Sequence, residues 1–522
     1  MHFAAVILGA LLFAGAFPNI LFENGISILA WIAFIPIFWL LRRVNILTSF
    51  FWGSLYGYSA YSIFNFWLTA FHPIAGLVVN IVYLVYFTFF FPLLKLATIL
   101  FPRKGYILQW LMWICFEYLR TQGFLGYAYG IIGYSQWQVI PLIQIADIFG
   151  IWAVSAIVIF PSVWLAEFFY RRIHIKEFFL QEKISACLWF LALAMTIVYG
   201  FNSQIDYSVM PSRRFALIQH NTDPWAGGFT EYKMNYEILK RLSNESLSHS
   251  PKPDFVVWSE TAFIPRIYWH ITYRGDPDSY LLVRDLMEYL GTQDVPFIIG
   301  NDDARKEPAK NPNPAEEYRV DYNAAMLFEK GEIIEQYRKI HLVPFTEHFP
   351  YKRQFPRLHE ALRSRDDIHL WEKGDDIVVF ESQGIKFSTP ICFEDTFGYI
   401  SRDFTHAGAQ LIVNLTNDAW SNSLPAQMQH LAMAVFRSVE NRRSMVRSTA
   451  SGQTCGIDPN GRIIAMAKPF QENYLNVEVP IVTISSIYTR YGDFFPIICI
   501  VLTVILMILG IVLKFFKKLK KI

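Results

Sequence analysis

Long apolar segments occupy residues 1–202 and 494–513, whereas residues 203–490 alternate short apolar runs with amphipathic and polar stretches. A helix that spans a bilayer needs about 20 largely apolar residues. On this criterion we predict eight spanning helices. Their approximate ranges are 3–21, 26–41, 46–71, 74–101, 106–121, 141–168, 184–202 and 494–513. The first has no basic residues before its apolar core and further apolar segments follow it, which favours a retained helix over a signal peptide.

The basic residues between the predicted spans indicate their direction. Clusters at 42–43, 103–104, 171–176 and 514–521 each follow an even-numbered span. Because Lys and Arg favour the cytoplasmic side, the pattern predicts that both termini are cytoplasmic. The chain is thus predicted to have three parts. They are transmembrane helices one to seven in 1–202, an extracytoplasmic domain in 203–490, and an eighth helix with a basic cytoplasmic tail in 491–522.

Three charged residues fall at predicted membrane depth: Lys95, Glu117 and Asp147. Charged groups inside a membrane are costly and frequently functional. The alternative is that they reach the interface from near a helix end, which fits Lys95 and Glu117. The sequence leaves both interpretations open.

The pattern in 203–490 predicts an α/β or α+β domain, since strand-like and helix-like runs alternate. Two stretches, 261–280 and 303–320, are predicted to be long loops, and the aromatic first one is a candidate lid. Helices are predicted at about 229–247, 278–291, 397–407 and 426–442. Strands are predicted at 215–219, 255–259, 297–300, 324–328, 377–381, 387–391 and 411–415.

Composition supports a membrane protein, because 53% of residues are hydrophobic and only 17% are charged. The formal net charge of +2 gives no reason to expect a nucleic-acid partner. The cysteine and histidine spacing contains no zinc motif, so no metal or cofactor is expected. Of the five cysteines, only Cys392 and Cys455 lie in the globular part, and a disulfide between them is one alternative.

Polar residues with catalytic potential follow predicted strands. Glu260 comes directly after an apolar run, where burial would raise its pKa and suit it to accept a proton. Lys339 could place a fixed positive charge where an oxyanion develops, and Glu347 could orient that lysine or receive a proton. His341, between them, is either a base or a structural residue.

Cys392 ends a strand-like run and precedes two acids and a predicted helix. A helix N-terminus lowers the pKa of a thiol and favours the reactive thiolate, but neighbouring acids act in the opposite direction. A nucleophilic role would therefore need a nearby cation such as Lys339. The local run alone also fits an inert, buried cysteine.

From about residue 213 to 480 the chain resembles the nitrilase superfamily of carbon–nitrogen hydrolases. That superfamily carries a Glu–Lys–Cys triad, in this chain order, on an αββα sandwich. Glu260, Lys339 and Cys392 fall on its three motifs. The resemblance implies a nitrilase-like catalytic domain with Cys392 as nucleophile, Glu260 as base and Lys339 as oxyanion stabiliser.

The resemblance narrows to the apolipoprotein N-acyltransferase family. The segments that carry it are 339–347, 392–394, 417–420 and 447–449 with Gly456, together with 133–136 before the sixth predicted span. The arrangement of eight spans with an external nitrilase-like domain is also that of the family. Two residues depart from the family pattern: Thr346 stands where Gly is frequent, and Phe393 where Tyr is frequent.

The resemblance implies an enzyme that moves a fatty acyl chain from a phospholipid to the α-amino group of a diacylglyceryl-cysteine in apolipoproteins, through a Cys392 thioester. It implies a monomeric, multi-pass protein of the bacterial inner membrane with its catalytic domain on the periplasmic side. Further residues are implied to support the triad or bind substrate. They are Glu347, Glu394, Trp225, Phe393, Trp420, Tyr322 and Asn323.

Two other functions fit parts of the pattern. A membrane-anchored nitrilase-type amidase would share the triad but would need only one anchor, so eight spans disfavour it. An inactive scaffold or a lipid-binding transporter subunit would need no intact triad, and the paired broken helices of many transporters are not evident.

Overall fold

The computed structural model describes residues 1–71, 73–223, 227–308, 317–349, 351, 354–363 and 370–519. The chain divides into two compact units. The first comprises Met1–Gln204, Ser421–Glu440 and Ser486–Ile522, and the second comprises Ile205–Trp420 and Asn441–Ser485.

The longest helices are apolar and belong to the first unit. In chain order the helices are α1 His2–Ala16, α2 Ile35–Arg43, α3 Ile46–Phe64, α4 Leu68–Phe71, α5 Pro73–Leu100, α6 Gly105–Leu119, α7 Ile140–Ile143, α8 Ala146–Phe149, α9 Ile151–Arg171, α10 Ile175–Asn202, α11 Phe229–Leu247, α12 Ile267–Tyr273, α13 Pro277–Gly291, α14 Pro356–Arg363, α15 Gly398–His406, α16 Leu424–Asn441, α17 Ile487–Tyr491 and α18 Phe494–Leu519. Short 3-10 turns cover Ser27–Trp31, Ile132–Gln136 and Cys392–Thr396.

Among the described residues, four helices are long and apolar enough to cross a membrane. They are Ala75–Leu100, Ile151–Arg171, Ile175–Asn202 and Phe494–Leu519. Other predicted spans fall on the helices α1, α2, α3 and α6, while the predicted range 141–168 is divided among α7, α8 and α9. The structure therefore establishes a helical apolar unit, and the count of eight spans stays a prediction.

Polar residues inside the first unit are held by contacts within that unit. Asp147 accepts hydrogen bonds from the Tyr199 hydroxyl at 2.9 and 2.8 Å. Glu117 accepts the backbone N–H of Ile132 at 3.0 Å, at the start of the 3-10 turn Ile132–Gln136. Lys95 Nζ donates to the carbonyl of Leu41 at 3.0 Å. Glu117 and Asp147 are buried and Lys95 is half-buried, and each of these contacts gives the charged group a partner within the protein.

Helix α16 belongs to the first unit although it lies between strands of the second. Its Gln429 accepts the indole N–H of Trp67 at 3.0 Å and donates to the carbonyl of Pro18 at 2.9 Å. Glu440, near its other end, accepts the N–H of Ile151 at 3.1 Å. These buried hydrogen bonds explain why 421–440 groups with the apolar helices rather than with the sheets.

The second unit is built on two six-stranded sheets, ordered β12-β1-β2-β3-β4-β5 and β11-β10-β9-β8-β7-β6. In each sheet three central strands are parallel, β1 to β3 and β7 to β9, and antiparallel strands flank them. The strands are β1 Ser212–Gln219, β2 Phe255–Trp258, β3 Phe297–Pro308, β4 Glu317–Glu329, β5 Glu332–Arg338, β6 Phe380–Ser382, β7 Ile385–Ser388, β8 Leu411–Thr416, β9 Ser444–Thr449, β10 Cys455–Ile457, β11 Ile463–Met466 and β12 Asn473–Pro480.

A helix layer of α11 and α13 covers one face of the first sheet. Their apolar stripes, including Tyr236, Leu239 and Leu286, pack against strand residues such as Ile218 and Trp258. Burying this apolar surface is the main stabilising contribution to the domain. The opposite face of the sheet meets the second sheet, where the Phe255 and Phe387 rings lie 5.7 Å apart.

Both predicted loops contain regular elements among their described residues. Residues 261–280 contain α12 and the start of α13, and the described part of 303–320 extends the hairpin of β3 and β4. The two elements pack on each other, for example through the Arg305 guanidinium 3.4 Å from the centroid of the Tyr268 ring. Charged residues that the sequence pattern assigns to a loop therefore lie in the hairpin of β3 and β4, and their cationic groups cover aromatic rings of α12.

The strand predicted at 377–381 is also corrected, because β6 covers only Phe380–Ser382. Gln383 and Gly384, both with positive φ, form the two-residue turn that pairs β6 with β7. The tight turn fixes which residues pair. Strand β7 ends at Ser388, two residues before Pro390, which has no N–H to donate to a neighbouring strand.

Candidate active site

The three residues of the predicted triad follow strands of the second unit. Glu260 comes two residues after β2, Lys339 directly after β5, and Cys392 four residues after β7. Parallel strands such as β2 and β7 present their carboxyl ends at one edge of their sheets, where sites are commonly built. Cys392 begins the 3-10 turn Cys392–Thr396, not an α-helix.

Unfavourable backbone conformations are concentrated beside these residues. Cys392 has φ of 47°, Thr261 next to Glu260 has 45°, and Phe345 next to Thr346 has 65°. A non-glycine residue in this left-handed region costs about 1–2 kcal/mol. Such strain is frequent where a chain must hold a functional side chain in one orientation.

Lys339 lies at the centre of a buried charge cluster. Its Nζ atom is 3.3 Å from Oε1 of Glu260 and 3.0 Å from Oε1 of Glu347. Burial opposes its charge, but the two carboxylates outweigh burial and raise the pKa of Lys339 above its usual value. The lysine is therefore a permanent cation at neutral pH, as an oxyanion-stabilising role requires.

The thiol of Cys392 is held in its neutral form. Burial and the negative charge of Glu260 raise the pKa of Cys392 well above its usual value, and Lys339 only partly offsets them. The short 3-10 turn does not produce the thiolate that a helix N-terminus would favour. A nucleophilic Cys392 therefore needs a base that removes its proton during the reaction.

Glu260 is fixed by three donors. Oε1 accepts the side-chain amide of Asn323 at 2.8 Å as well as Lys339, and Oε2 accepts the backbone N–H of Asn417 at 2.8 Å. The carboxylate is only 4% exposed. Its orientation is consequently set by β4, β5 and the segment after β8 together, which suits a proton acceptor of fixed position.

Glu347 closes the loop that carries Lys339. Besides the lysine, it accepts the backbone N–H of Val343 through Oε2 at 2.9 Å. Burial raises the pKa of Glu347, while Lys339 acts against that rise. Thr346, where the family frequently has Gly, keeps its hydroxyl oxygen buried without a hydrogen bond among the described residues.

Glu394 joins the lysine loop to the cysteine turn. Oε1 accepts the Tyr337 hydroxyl at 2.8 Å and the backbone N–H groups of Ile340 and His341 at 2.7 and 3.0 Å. Oε2 accepts the N–H of Ile391 at 2.7 Å, just before the cysteine. Burial raises the pKa of Glu394 to about 7 despite these donors. Glu394 thus ties together the two segments that present Lys339 and Cys392.

His341 is packed as a structural residue. Its Nδ1 atom shares a hydrogen bond with the Tyr399 hydroxyl at 2.8 Å, and its ring lies 4.2 Å from that of Phe397. Burial lowers the pKa of His341 to about 4. Phe393 contributes its ring to the same aromatic group, 5.0 Å from Phe397.

Three further residues were predicted to lie near the triad or to bind substrate: Trp420, Tyr322 and Trp225. Trp420 is half-buried in the segment after β8. Tyr322 is buried beneath the Arg338 guanidinium, which lies 3.9 Å from its ring centroid. Trp225 lies outside the described residues.

Sequence reasoning named the positions of a further buried ionic network but gave it no role. Arg447, on β9, lies 3.5 Å from Oδ2 of Asp395 and 3.1 Å from Oδ2 of Asp418. Asp395 belongs to the cysteine turn, and Asp418 follows Asn417, whose N–H holds Glu260. One arginine therefore connects the turn of the nucleophile with the segment that orients the base.

All five cysteines are free thiols. Cys392 and Cys455 are both free, so the disulfide alternative is wrong. No group of three or more potential metal ligands occurs in the part of the chain that the structure describes.

Comparison with known proteins places the chain in a family. Residues 214–489 match the model of the carbon–nitrogen hydrolases, and residues 8–164 match the model of the apolipoprotein N-acyltransferase N-terminal domain. A solved amidase from Nesterenkonia sp. AN1 is matched over 55% of this chain and 96% of its own length, at 15% identity and a TM-score of 0.37.

Two curated relatives extend the match to nearly the whole chain. Apolipoprotein N-acyltransferase 1 of Treponema denticola is 44% identical over 99% of this chain and 98% of its own length. Apolipoprotein N-acyltransferase 1 of Treponema pallidum is 43% identical over 98% of this chain and 95% of its own length. On these full-length matches, and on a carbon–nitrogen hydrolase match that covers more than half of the sequence, the chain belongs to the apolipoprotein N-acyltransferase family.

Proposed function

We propose that this protein transfers a fatty acyl chain from a membrane phospholipid to the α-amino group of the diacylglyceryl-cysteine of apolipoproteins, through a thioester on Cys392. The observation that carries the proposal is the buried group of Glu260, Lys339 and Glu347 beside a neutral cysteine thiol. Membership of the family supports the choice of substrates.

In the first half-reaction Glu260 takes the proton from the Cys392 thiol while the sulfur attacks the ester carbonyl of the phospholipid. Lys339 stabilises the negative charge that develops on the carbonyl oxygen. The carbon–oxygen bond then breaks, and Glu260 returns the proton to the leaving lysophospholipid oxygen. A Cys392 thioester remains, and the number of protons is unchanged.

In the second half-reaction the free amine of the diacylglyceryl-cysteine attacks the thioester. Glu260 takes a proton from the attacking nitrogen, and Lys339 again stabilises the oxyanion. The carbon–sulfur bond breaks, the proton passes from Glu260 to the sulfur, and the thiol is restored. The product is an N-acylated lipoprotein, and no cofactor takes part.

The supporting residues act through the triad or the substrate in this proposal. Asn323 and Glu347 hold the Glu260–Lys339 pair, and Glu394 fixes the backbone on both sides of it. Phe393, Trp420 and Trp225 supply apolar surface for lipid chains, which need an apolar pocket with few polar groups.

We further propose eight membrane spans, with both termini in the cytoplasm and residues 203–490 on the periplasmic side of the inner membrane. Four long apolar helices and the alternation of basic clusters support this arrangement. The functional boundaries 1–202, 203–490 and 491–522 follow from it, although α16 groups with the apolar unit. Both substrates are lipid-anchored, and we propose that a monomer acts on them without a nucleic-acid partner.

The proposal is tested with purified protein, phospholipid vesicles and a diacylglyceryl-modified lipopeptide that has a free α-amino group. The proposal predicts an N-acylated lipopeptide and one lysophospholipid per product, and no product from Cys392→Ala. Release of free fatty acid or hydrolysis of small amides without lipopeptide acylation would instead indicate a hydrolase.

A further inference from the structure

One carboxylate near the triad has no assigned role. Asp302, on β3, is 2% exposed, and neither carboxylate oxygen makes a well-formed hydrogen bond among the described residues. Arg266 lies 3.8 Å away, and the Trp371 side chain is a weak donor. Burial raises the pKa of Asp302 to about 7, with Arg266 and the indole of Trp371 offsetting part of that rise. A buried carboxylate without well-formed hydrogen bonds is costly, and a role in the reaction is one reason for a protein to retain it.

A second unpaired acceptor lies on the neighbouring strand. Asn323 is 1% exposed, and its amide nitrogen donates to Glu260 at 2.8 Å, while its amide oxygen has no partner in the described chain. An ionised carboxylate can only accept, so the amide nitrogen must face Glu260 and the oxygen must face elsewhere. The assignment of the two amide atoms is thereby fixed.

Asp302 and Asn323 are on the same face of the sheet. They are direct partners in the antiparallel ladder of β3 and β4. Asn301, the preceding residue, points to the other face, where its side chain bonds the carbonyls of Phe263 and Pro265 at 2.5 and 3.0 Å. Since successive strand residues alternate between faces, Asp302 is directed to the face that carries the triad, and Glu260 is close enough to raise the pKa of Asp302 further.

The charged neighbours of Asp302 do not satisfy it. Arg266 approaches to 3.8 Å, but its Nη2 atom donates to Asp321 at 3.1 Å. Asp302 and the amide oxygen of Asn323 are therefore two acceptors near Glu260 that lack a well-formed hydrogen bond among the described residues. An ester carries only hydrogen-bond acceptors. The leaving alcohol carries one O–H group, whose proton comes from Glu260. A primary amine brings two N–H donors, and its ammonium form three.

We propose that Asp302 and the amide oxygen of Asn323 form a subsite for a primary amine, and that the amine is the attacking α-amino group of the acyl acceptor. The neutral amine attacks: one of its two N–H groups faces Glu260, which takes that proton as the carbon–nitrogen bond forms, and the other is held by Asn323 and Asp302. The subsite orients the nitrogen toward the Cys392 thioester. This inference rests on the proposed function and specifies how its second substrate is recognised.

The test separates the two half-reactions in Asp302→Asn. Thioester formation from phospholipid is followed by the acyl mass on the protein, and its rate should stay within about twofold of wild type. Transfer from preformed thioester to the lipopeptide should slow by about 10- to 100-fold, because one charged hydrogen bond to the amine is lost. The loss should appear partly as a higher KM for the lipopeptide.

A matched control is Asp303→Asn. Asp303 is also buried, but its carboxylate pairs with Arg305 and Arg338 at 3.1 and 2.6 Å. This variant should lower the unfolding temperature and leave the ratio of the two half-reaction rates unchanged. Asp302→Asn should not lower the unfolding temperature and should change that ratio, since burial costs the Asp302 charge more than its contacts with Arg266 and Trp371 return.

The amine could also come from the headgroup of phosphatidylethanolamine, so the first half-reaction is measured with that lipid and with phosphatidylglycerol. If Asp302→Asn slows thioester formation from phosphatidylethanolamine alone and spares aminolysis, the subsite binds the donor headgroup and the proposal is wrong. Equal slowing of both half-reactions, or none, also overturns it. Absence of any acyl-protein in wild type would count against the proposed function instead.

Discussion

The Nζ atom of Lys339 lies 3.3 Å from Oε1 of Glu260, and both side chains are almost completely removed from solvent. A buried ion pair of this kind is poor evidence for stability, because desolvation consumes much of the attraction between the charges. It is better explained by chemistry that needs a fixed cation and a fixed proton acceptor a few ångströms apart.

Replacing Lys339 with Met should slow thioester formation by about 10²–10³-fold, because the developing oxyanion loses its cation. Lys339→Arg should recover little, since the planar guanidinium cannot occupy the same position between two carboxylates. The measurement is the rate at which acyl mass appears on the protein. Wild-type rates in Lys339→Met would show that the oxyanion is stabilised elsewhere.

Glu394→Gln should reduce both half-reactions by about tenfold or more, because a carboxylate that accepts from four donors is replaced by an amide with two N–H groups of its own. At least one backbone N–H beside Lys339 or Cys392 then lacks an acceptor. The control is Tyr337→Phe, which removes one of the four donors and leaves the backbone contacts intact. If the control is as damaging as Glu394→Gln, the backbone contacts are not what matters.

Arg447→Leu should lower the free energy of unfolding by about 3–5 kcal/mol, because Asp395 and Asp418 would remain buried without their counterion. The free energy is measured by denaturant unfolding in detergent. Arg284→Leu is the control, since Arg284 and Glu288 are 56% and 69% exposed and lie 3.4 Å apart, and an ion pair between exposed side chains contributes less than about 1 kcal/mol. Similar losses in both variants would contradict the structural role of Arg447.

The raised pKa of Asp302 should make the free energy of unfolding fall as pH rises. Its folded pKa is raised to about 7, whereas the unfolded carboxyl ionises near pH ~3.9. Between these values the folded state keeps a proton that the unfolded state has lost, so rising pH favours unfolding. Asp302→Asn should therefore match wild type in unfolding temperature near pH ~4 and exceed it increasingly up to pH ~7. A constant difference across that range would show that Asp302 does not titrate there.

Much of the second unit could be predicted locally. The amphipathic pattern predicts a helix at about 229–247, and α11 has those bounds in the structure. Strands β1, β2 and β8 were predicted from apolar runs that are buried on both faces. Glu260, Lys339 and Cys392 could be chosen because they follow such runs and match a family.

Other parts of the site depend on long-range pairing that no local pattern contains. The backbone N–H of Asn417, which donates to Glu260, lies 157 residues further along the chain. Asp302 was not identified from the sequence, because the predicted strand ends at Gly300 and the charged residues of the β3–β4 hairpin fit a loop. Strands β9 to β12 were not predicted, and Arg447 on β9 consequently had no visible partner.

The central claim is that Cys392 carries the acyl chain, and intact-protein mass spectrometry tests it most directly. Wild-type protein and Cys392→Ala are incubated with phospholipid of one defined acyl chain, without acceptor, and weighed. The proposed mechanism predicts a mass increase of that acyl chain on the wild type alone, removed by the lipopeptide amine. An equal increase on Cys392→Ala, or none on an active wild type, would contradict it.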